Sequence, residues 1–353
     1  MAVSNVSRDE PQSAAYAAIK KADITEHEAP VGSYPPISSI RQTCLTRLFK
    51  AAKDEDTTPA DTVLYLAYGS NMSAQTFLGM RKIRPLSEIN VVVPSLRLSF
   101  DLPGIAYREP CFANVQFRDK SEAAKVTRES LEKEWDGSLM GVVYEVTKPD
   151  WARIMGTEGG GTSYQEIVVP CIPLPTADGE TDAAKLPQII KARTLYAPRL
   201  PEGEDPSKRT LWEKLSTGPY RPDGEYAQAS ERYLKLLRVG AREHQMPQVY
   251  QDYLNNLQHY TVTSRAQKIG GLLFMLAWGP VILAFVKLSG SFADENGRIP
   301  KSLGLVITVL FNMAWISYDY VYKPAFGDGE RTQRDEDEER QEMAAQEKPS
   351  LLD

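Results

Sequence analysis

An α+β domain followed by two membrane-length helices is the architecture this sequence predicts, and three observations predict it. Short runs rich in β-branched and aromatic residues occupy the stretch from Val63 to Tyr196. Helical patterns come only afterwards, near Glu225–Arg242 and Pro247–Leu257. Two apolar stretches, Ile269 to Leu288 and Ser302 to Tyr322, then each approach the roughly 20 residues that cross a bilayer. The expected organisation is a disordered region over 1–60, a folded domain over 61–260, a transmembrane hairpin over 261–325 and a disordered charged tail over 326–353.

Strands are expected near Val63–Tyr68, Asn90–Asp101, Phe112–Phe117, Leu139–Val146, Tyr164–Ile172 and Ile189–Tyr196. Ahead of them, Pro30, Pro35 and Pro36 interrupt a region rich in Ser, Ala and charge. Ser39–Lys53 carries Arg41, Arg47, Lys50 and Lys53 at amphipathic spacing and reads as a linker into the domain. In the hairpin, Gly270, Gly271, Gly279 and Pro280 fall inside the first run, and Trp315, Tyr318, Tyr320 and Tyr322 end the second where a membrane interface favours aromatic rings. Arg265, Lys268, Lys323, Arg331 and Arg334 flank its outer ends, against Lys287, Arg298 and Lys301 at the connector. That balance leans toward both termini, and hence the domain, in the cytosol.

The chemistry-bearing stretch is the end of the first strand, Leu66-Ala67-Tyr68-Gly69-Ser70-Asn71-Met72. A strand that stops at an aromatic residue, a glycine and two short polar residues makes a ligand loop. Gly69 permits a sharp turn and close backbone approach, Ser70 and Asn71 are placed to cap a helix over Ala74–Met80, and the first N–H groups of such a turn are available to carboxylates and oxyanions. Ninety residues on, Glu158 precedes the triple glycine Gly159-Gly160-Gly161, just before the strand that opens at Tyr164.

Together these stretches resemble the γ-glutamylcyclotransferase family, whose marks are a YGSN(L/M) loop after the first strand and a Glu-Gly loop after a later strand and short helix. Gly141-Val142-Val143-Tyr144 looks like the family's G-V-V-(W/Y) strand, and Asp150–Met155 like the helix that delivers the acid. Gly240-Ala241-Arg242-Glu243 with Met246-Pro247 and Tyr250 is similar to its late G-A-x-E-x-x-(L/M)-P-x-x-Y segment. The resemblance spans roughly Asp61 to Leu257, and over Tyr220–Tyr250 it is strongest to fungal members from secondary-metabolite pathways. It departs from the family at Leu195 and Tyr196, about where relatives place a pocket tyrosine, and in the two apolar runs that follow.

The resemblance implies a small mixed β-barrel and an enzyme that cyclises a γ-glutamyl group to 5-oxoproline, releasing an amine, amino acid or peptide. Glu158 would be the acid–base residue, raised toward neutrality by burial. The N–H groups of Gly69, Ser70 and Asn71 would hold the substrate, with Tyr68 and Tyr164 lining the pocket. The expected substrate is a small γ-glutamyl molecule: glutathione, a γ-glutamyl amino acid or a glutathione conjugate. No metal or cofactor is called for. The alternative is a catalytically silent γ-glutamyl-binding or membrane-scaffolding protein of the same fold.

Composition narrows the rest. A net charge of −6 over 353 residues gives no footprint for nucleic acid. Cys44, Cys111 and Cys171 are too far apart for a zinc motif or a disulfide scaffold, and Cys111 reads as a small buried hydrophobe. His27, His244 and His259 lack ligand spacing, and His244 is expected to be exposed on its helix. Arg232, Lys235, Arg238 and Arg242 read as a solvated helix face.

Overall fold

The structure, a computed structural model, describes residues 32–53, 62–128, 130, 135–157, 165–175, 183–198, 208–218, 221, 223–291 and 299–333, and of 285–291 the backbone alone. In chain order the main elements are α1 (Leu45–Ala52), β1 (Thr62–Ala67), β2 (Ser87–Val93), β3 (Leu96–Ile105), β4 (Glu109–Phe117) and β5 (Leu139–Thr147). They continue through α2 (Lys148–Thr157), β6 (Gln165–Pro173) and β7 (Ile190–Tyr196) to five late helices. These are α3 (Leu211–Ser216), α4 (Glu231–Glu243), α5 (Gln248–Asn256), α6 (Arg265–Ser291) and α7 (Lys301–Ser317).

Strands β1, β5, β2, β6 and β7 close into a barrel in that order. Neighbours pair antiparallel except at the closure, where β7 meets β1 in parallel at Arg193 and Tyr65. Val63 to Ala67 are all buried, because helices and loops cover the outside of β1 while the barrel core takes the inside. That is why the sequence reads as a continuous apolar run there and does not alternate. Gly141 opens β5 where a Cβ would stand 2.5 Å from the Ala67 carbonyl oxygen, so only glycine lets the two backbones lie this close.

The single strand expected over Asn90–Asp101 is two strands in different sheets. Pro94 has no N–H to continue a ladder, and the turn at Pro94-Ser95 sends β2 into the barrel and β3 into a separate hairpin with β4. Order also begins earlier than position 61. Leu48 on α1 is fully buried, Arg47 Nε donates to Glu145 Oε1 at 2.8 Å, and Gln42 bridges to Glu88. The basic stretch is therefore partly a lid on the barrel, with Arg47 spent internally and Arg41 exposed.

Helix α6, over Arg265–Ala284, and α7 with the helical turns that continue it, over Lys301–Phe326, are each long and apolar enough to cross a membrane. They pack antiparallel: Trp278 Nε1 donates to Ser317 Oγ at 2.9 Å, and Phe274 meets Tyr318 and Tyr322 edge-on. Leu272, Leu276, Leu283 and Val306 point outward, exposed. The first helix starts four residues before the expected run, and the second continues from Ser317 through a π-helical turn, Tyr318–Tyr322, to Phe326.

The first part of the expected charged tail differs from expectation, because 327–333 fold back onto the domain. Asp328 and Glu330 are buried there, Tyr107 N donates to the Gly329 carbonyl at 2.8 Å, and Gln228 N to that of Glu330 at 2.8 Å. Arg221 ties the base together, reaching Asp319 at 2.8 Å and Glu330 at 2.5 Å while stacking 4.4 Å from the Trp315 ring. Higher on α7, Asn312 donates to the carbonyls of Leu215 and Thr217, so the one amide side chain in that apolar stretch closes the end of α3.

Candidate active site

Beyond β1 the chain turns through Tyr68 and Gly69 into a single 3₁₀ turn, Ser70–Met72, and then a π-helical turn, Gln75–Met80. The turn's own hydrogen bonds run from Met72 N to the Gly69 carbonyl, 3.0 Å, and from Ser73 N to that of Ser70, 3.1 Å. They use none of the N–H groups of Gly69, Ser70 and Asn71, which belong to the start of the turn. Gly69 has φ −114°, so its role is space and not a left-handed turn: a Cβ would sit 3.2 Å from the Tyr233 hydroxyl.

Support comes from below, from α4. Gly240 lets this helix touch the loop, since a Cβ there would lie 2.7 Å from Met72 Cβ and 2.8 Å from backbone atoms of Met72 and Ser73. Glu243 Oε2 accepts from Ala74 N at 2.8 Å, and burial raises its carboxyl above the ordinary range despite that hydrogen bond. The side chains of Ser70 and Asn71 do not cap the following turn: Asn71 Nδ2 donates to the Tyr65 hydroxyl at 2.7 Å, and the cap is the Glu243 carboxylate.

Around the same barrel end stand the last residues of β7 and the first of β6, paired at Tyr196 and Gln165. The Tyr68 hydroxyl donates across this end to the Leu195 carbonyl at 2.7 Å. Leu195 is buried, and Tyr196 stands edge-on to Phe117. Asn114 of β4 pairs reciprocally with the backbone of Ala197, at 2.9 and 3.1 Å.

Helix α2 follows β5 and returns beside β1, its Trp151 ring 5.6 Å from that of Tyr65 and its Ile154 buried. Glu158 and Tyr164 lie outside the described residues. Their described flanks are Thr157, at the end of α2, and Gln165, at the barrel end that carries Tyr68 to Met72.

Other sequence expectations resolve simply. Cys111 is buried, and burial pushes its thiol well up, as befits an inert hydrophobe. Arg232 pairs with Glu109, and Arg238 with Glu231 and the carbonyls at the end of α5, while Lys235 and Arg242 are exposed. These cations form no anion-binding row.

His244 corrects the expectation of an exposed residue. It is 6 % exposed, its Nε2 lies 2.8 Å from the Tyr144 hydroxyl and 3.0 Å from the Met72 carbonyl, and its Nδ1 faces Glu88 Oε2 at 3.4 Å. The signal was in the spacing: Tyr233, Leu237, Gly240, Ala241 and His244 recur every three to four residues on the buried face of α4.

Residues 264–325 match the model for the AclK C-terminal domain, which covers α6, α7 and the turn that follows. The chain is 31% identical over 275 residues to gamma-glutamyl cyclotransferase gliK of Aspergillus fumigatus, covering 77% of this chain and 90% of that one. To gamma-glutamyl cyclotransferase aclK of Aspergillus oryzae it is 30% identical over 278 residues, covering 76% and 90%. Among solved structures, an uncharacterized Homo sapiens protein aligns at 18% identity over 58% of this chain and 92% of that one, with a TM-score of 0.38. Each of the two Aspergillus relatives is matched over 90% of its own length, and the chain belongs to the γ-glutamyl cyclotransferase family of enzymes.

Proposed function

We propose that this protein cyclises the γ-glutamyl group of glutathione, a γ-glutamyl amino acid or a glutathione conjugate to 5-oxoproline, at a membrane to which the α6–α7 hairpin anchors it. In the reaction the substrate α-amine nitrogen attacks its own γ-carbonyl carbon. The lactam C–N bond forms, the original amide C–N bond breaks, and protons pass from the attacking to the leaving nitrogen. Glu158 carries them, taking a proton from the ammonium and returning it to the departing amine. The N–H groups of Gly69, Ser70 and Asn71 hold the substrate in the compact conformer that cyclises and oppose the negative charge that grows on the carbonyl oxygen.

Tyr68, with its hydroxyl hydrogen committed to Leu195, offers ring surface and an acceptor oxygen; Tyr164 is assigned to the same pocket. The observation that carries the reading is the 3₁₀ turn itself, whose own hydrogen bonds leave the N–H groups of Gly69 and Ser70 unused, in a chain whose relatives bear the cyclotransferase name. A two-pass anchor with cytosolic termini, and a domain order of barrel, hairpin and charged tail, complete the proposal.

The test is 5-oxoproline release by the full chain in detergent or bilayer discs, from glutathione, γ-glutamyl-alanine and a glutathione S-conjugate, beside Glu158→Gln. Turnover that falls about 10²- to 10⁴-fold in the variant, with substrate binding kept, supports the acid–base assignment. Undiminished turnover in the variant removes Glu158 from it.

A further inference from the structure

The buried polar groups beneath the 3₁₀ turn have no role in the reaction as written so far, and their hydrogen positions are constrained. The Met72 carbonyl only accepts, and it lies 3.0 Å from His244 Nε2, so Nε2 carries a hydrogen. The same N–H is 2.8 Å from the Tyr144 oxygen, which frees the tyrosine hydrogen to point at the Asn71 carbonyl, 3.5 Å away. On the other side of the ring, Nδ1 and Glu88 Oε2 are both buried and face each other at 3.4 Å, neither with a hydrogen-bond partner among the described residues, so the carboxyl acts on the ring through its nearby charge and dipole. Glu88 is itself fixed on β2, where its backbone pairs with Arg41 and Thr43, and the His244 carbonyl accepts from Asn90 Nδ2 at 2.7 Å.

From these anchors two chains of hydrogen bonds lead through the turn. In the first, Glu88 and His244 act on the Met72 carbonyl. The N–H of that same peptide group is Ser73's, which donates to the Ser70 carbonyl, and the N–H of the Ser70 peptide group is Asn71's. In the second, Tyr144 acts on the Asn71 carbonyl. The N–H of that group is Met72's, which donates to the Gly69 carbonyl, and the N–H of that group is Ser70's. Each hydrogen bond accepted by a peptide carbonyl polarises the N–H of the same group, and chains of such bonds reinforce one another by about 10–30% per bond.

We infer that Glu88, His244 and Tyr144 are positioning residues that orient and polarise the Ser70 and Asn71 N–H groups for the cyclisation. The inference rests on the proposed use of those N–H groups to hold substrate. They matter most where charge grows on the carbonyl oxygen, so weakening them lowers kcat more than it changes KM.

The experiment compares full-length Glu88→Gln, Tyr144→Phe and His244→Gln with wild type. It measures kcat, KM and thermal unfolding, and the Asn71 amide proton shift in ¹⁵N-asparagine-labelled protein with and without 5-oxoproline. The expected result is a kcat three- to tenfold lower in each folded variant, KM within twofold, and an Asn71 amide proton moved upfield in Glu88→Gln and His244→Gln. Tyr144→Phe moves it less, because its chain ends at Ser70. Should His244→Gln not fold, Tyr144→Phe removes one hydroxyl and keeps the ring stacked on Phe77, 4.5 Å between centroids. Folded variants with wild-type kcat, or with a lower melting temperature as their only change, overturn the inference. Failure of the cyclisation reading shows separately, as wild-type protein whose Asn71 amide ignores 5-oxoproline and which turns over no γ-glutamyl substrate.

Discussion

The turn at the barrel mouth and the base of the helical hairpin are both polar sites set in apolar surroundings, yet they are held by different forces. The turn is fixed by backbone hydrogen bonds, one buried carboxylate on an N–H, the His244 ring on the Met72 carbonyl and a close glycine contact. The base is fixed by charge: Arg221 between Asp319 and Glu330, and Lys323 against Asp328 at 2.8 Å. Dipoles that must stay available to a substrate are steered by single hydrogen bonds and close packing, whereas a joint between two bodies tolerates strong, short-range ion pairs.

The sharpest way to break that contrast is Arg221→Ala. It leaves the buried Glu330 facing only Lys323, 3.6 Å away, and is expected to cost about 3 kcal/mol at the hairpin base, read as lost amide protection of Gly329 and Glu330 while the 70–74 amides keep theirs. A smaller effect is expected on the other side from Gly240→Ala. Its methyl group meets backbone atoms of Met72 and Ser73, costing about 1–3 kcal/mol by overpacking and lowering turnover without releasing the hairpin.

Acid separates the two sites by sign. Burial pushes the Asp328 carboxyl up, but hydrogen bonds from Lys323, Tyr226 and the Glu330 N–H outweigh it and hold it below its usual 3.8. Its stabilisation is therefore complete above that value and is lost as pH falls through the lower folded one. The Glu243 carboxyl is raised, chiefly by burial, so its ionised form is the penalised one, and acid relieves that penalty at the turn. Hydrogen exchange followed from pH 5 to 3 is expected to open the Gly329 and Glu330 amides before that of Ala74. The smallest effect belongs to Lys235→Ser on the exposed face of α4, within about 0.5 kcal/mol and with unchanged turnover.

Strands β1, β4 and β5 were readable because their buried runs are nearly continuous, and the loop because Tyr68 to Asn71 interrupt one of them. What escaped was whatever depends on distant partners. Asn90–Asp101 reads as one apolar run until Pro94 is weighed as a missing donor. The basic look of Ser39–Lys53 hides that Arg47 is claimed by Glu145, ninety-eight positions away. The fold-back of 327–333 is invisible in a stretch of Asp, Glu and Arg, because the opposing Arg221 and Lys323 lie elsewhere in the chain or in the preceding turn. At the candidate site the loop was legible from its own residues. Its underpinning by Glu88, Tyr144 and His244 required the three-dimensional meeting of β2, β5 and the end of α4.

The bond from His244 to Met72 joins positions 172 residues apart, which gives this enzyme a timetable. During synthesis at about 5–20 residues per second, the substrate loop leaves the ribosome roughly ten to thirty seconds before the helix that underpins it. Until Tyr196 emerges, for most of that interval, the barrel also lacks its closing strand, so a nascent chain displays an unsupported loop beside open strand edges. Maturation of the catalytic cradle is thus a late event, completed only as the hairpin helices themselves begin to emerge.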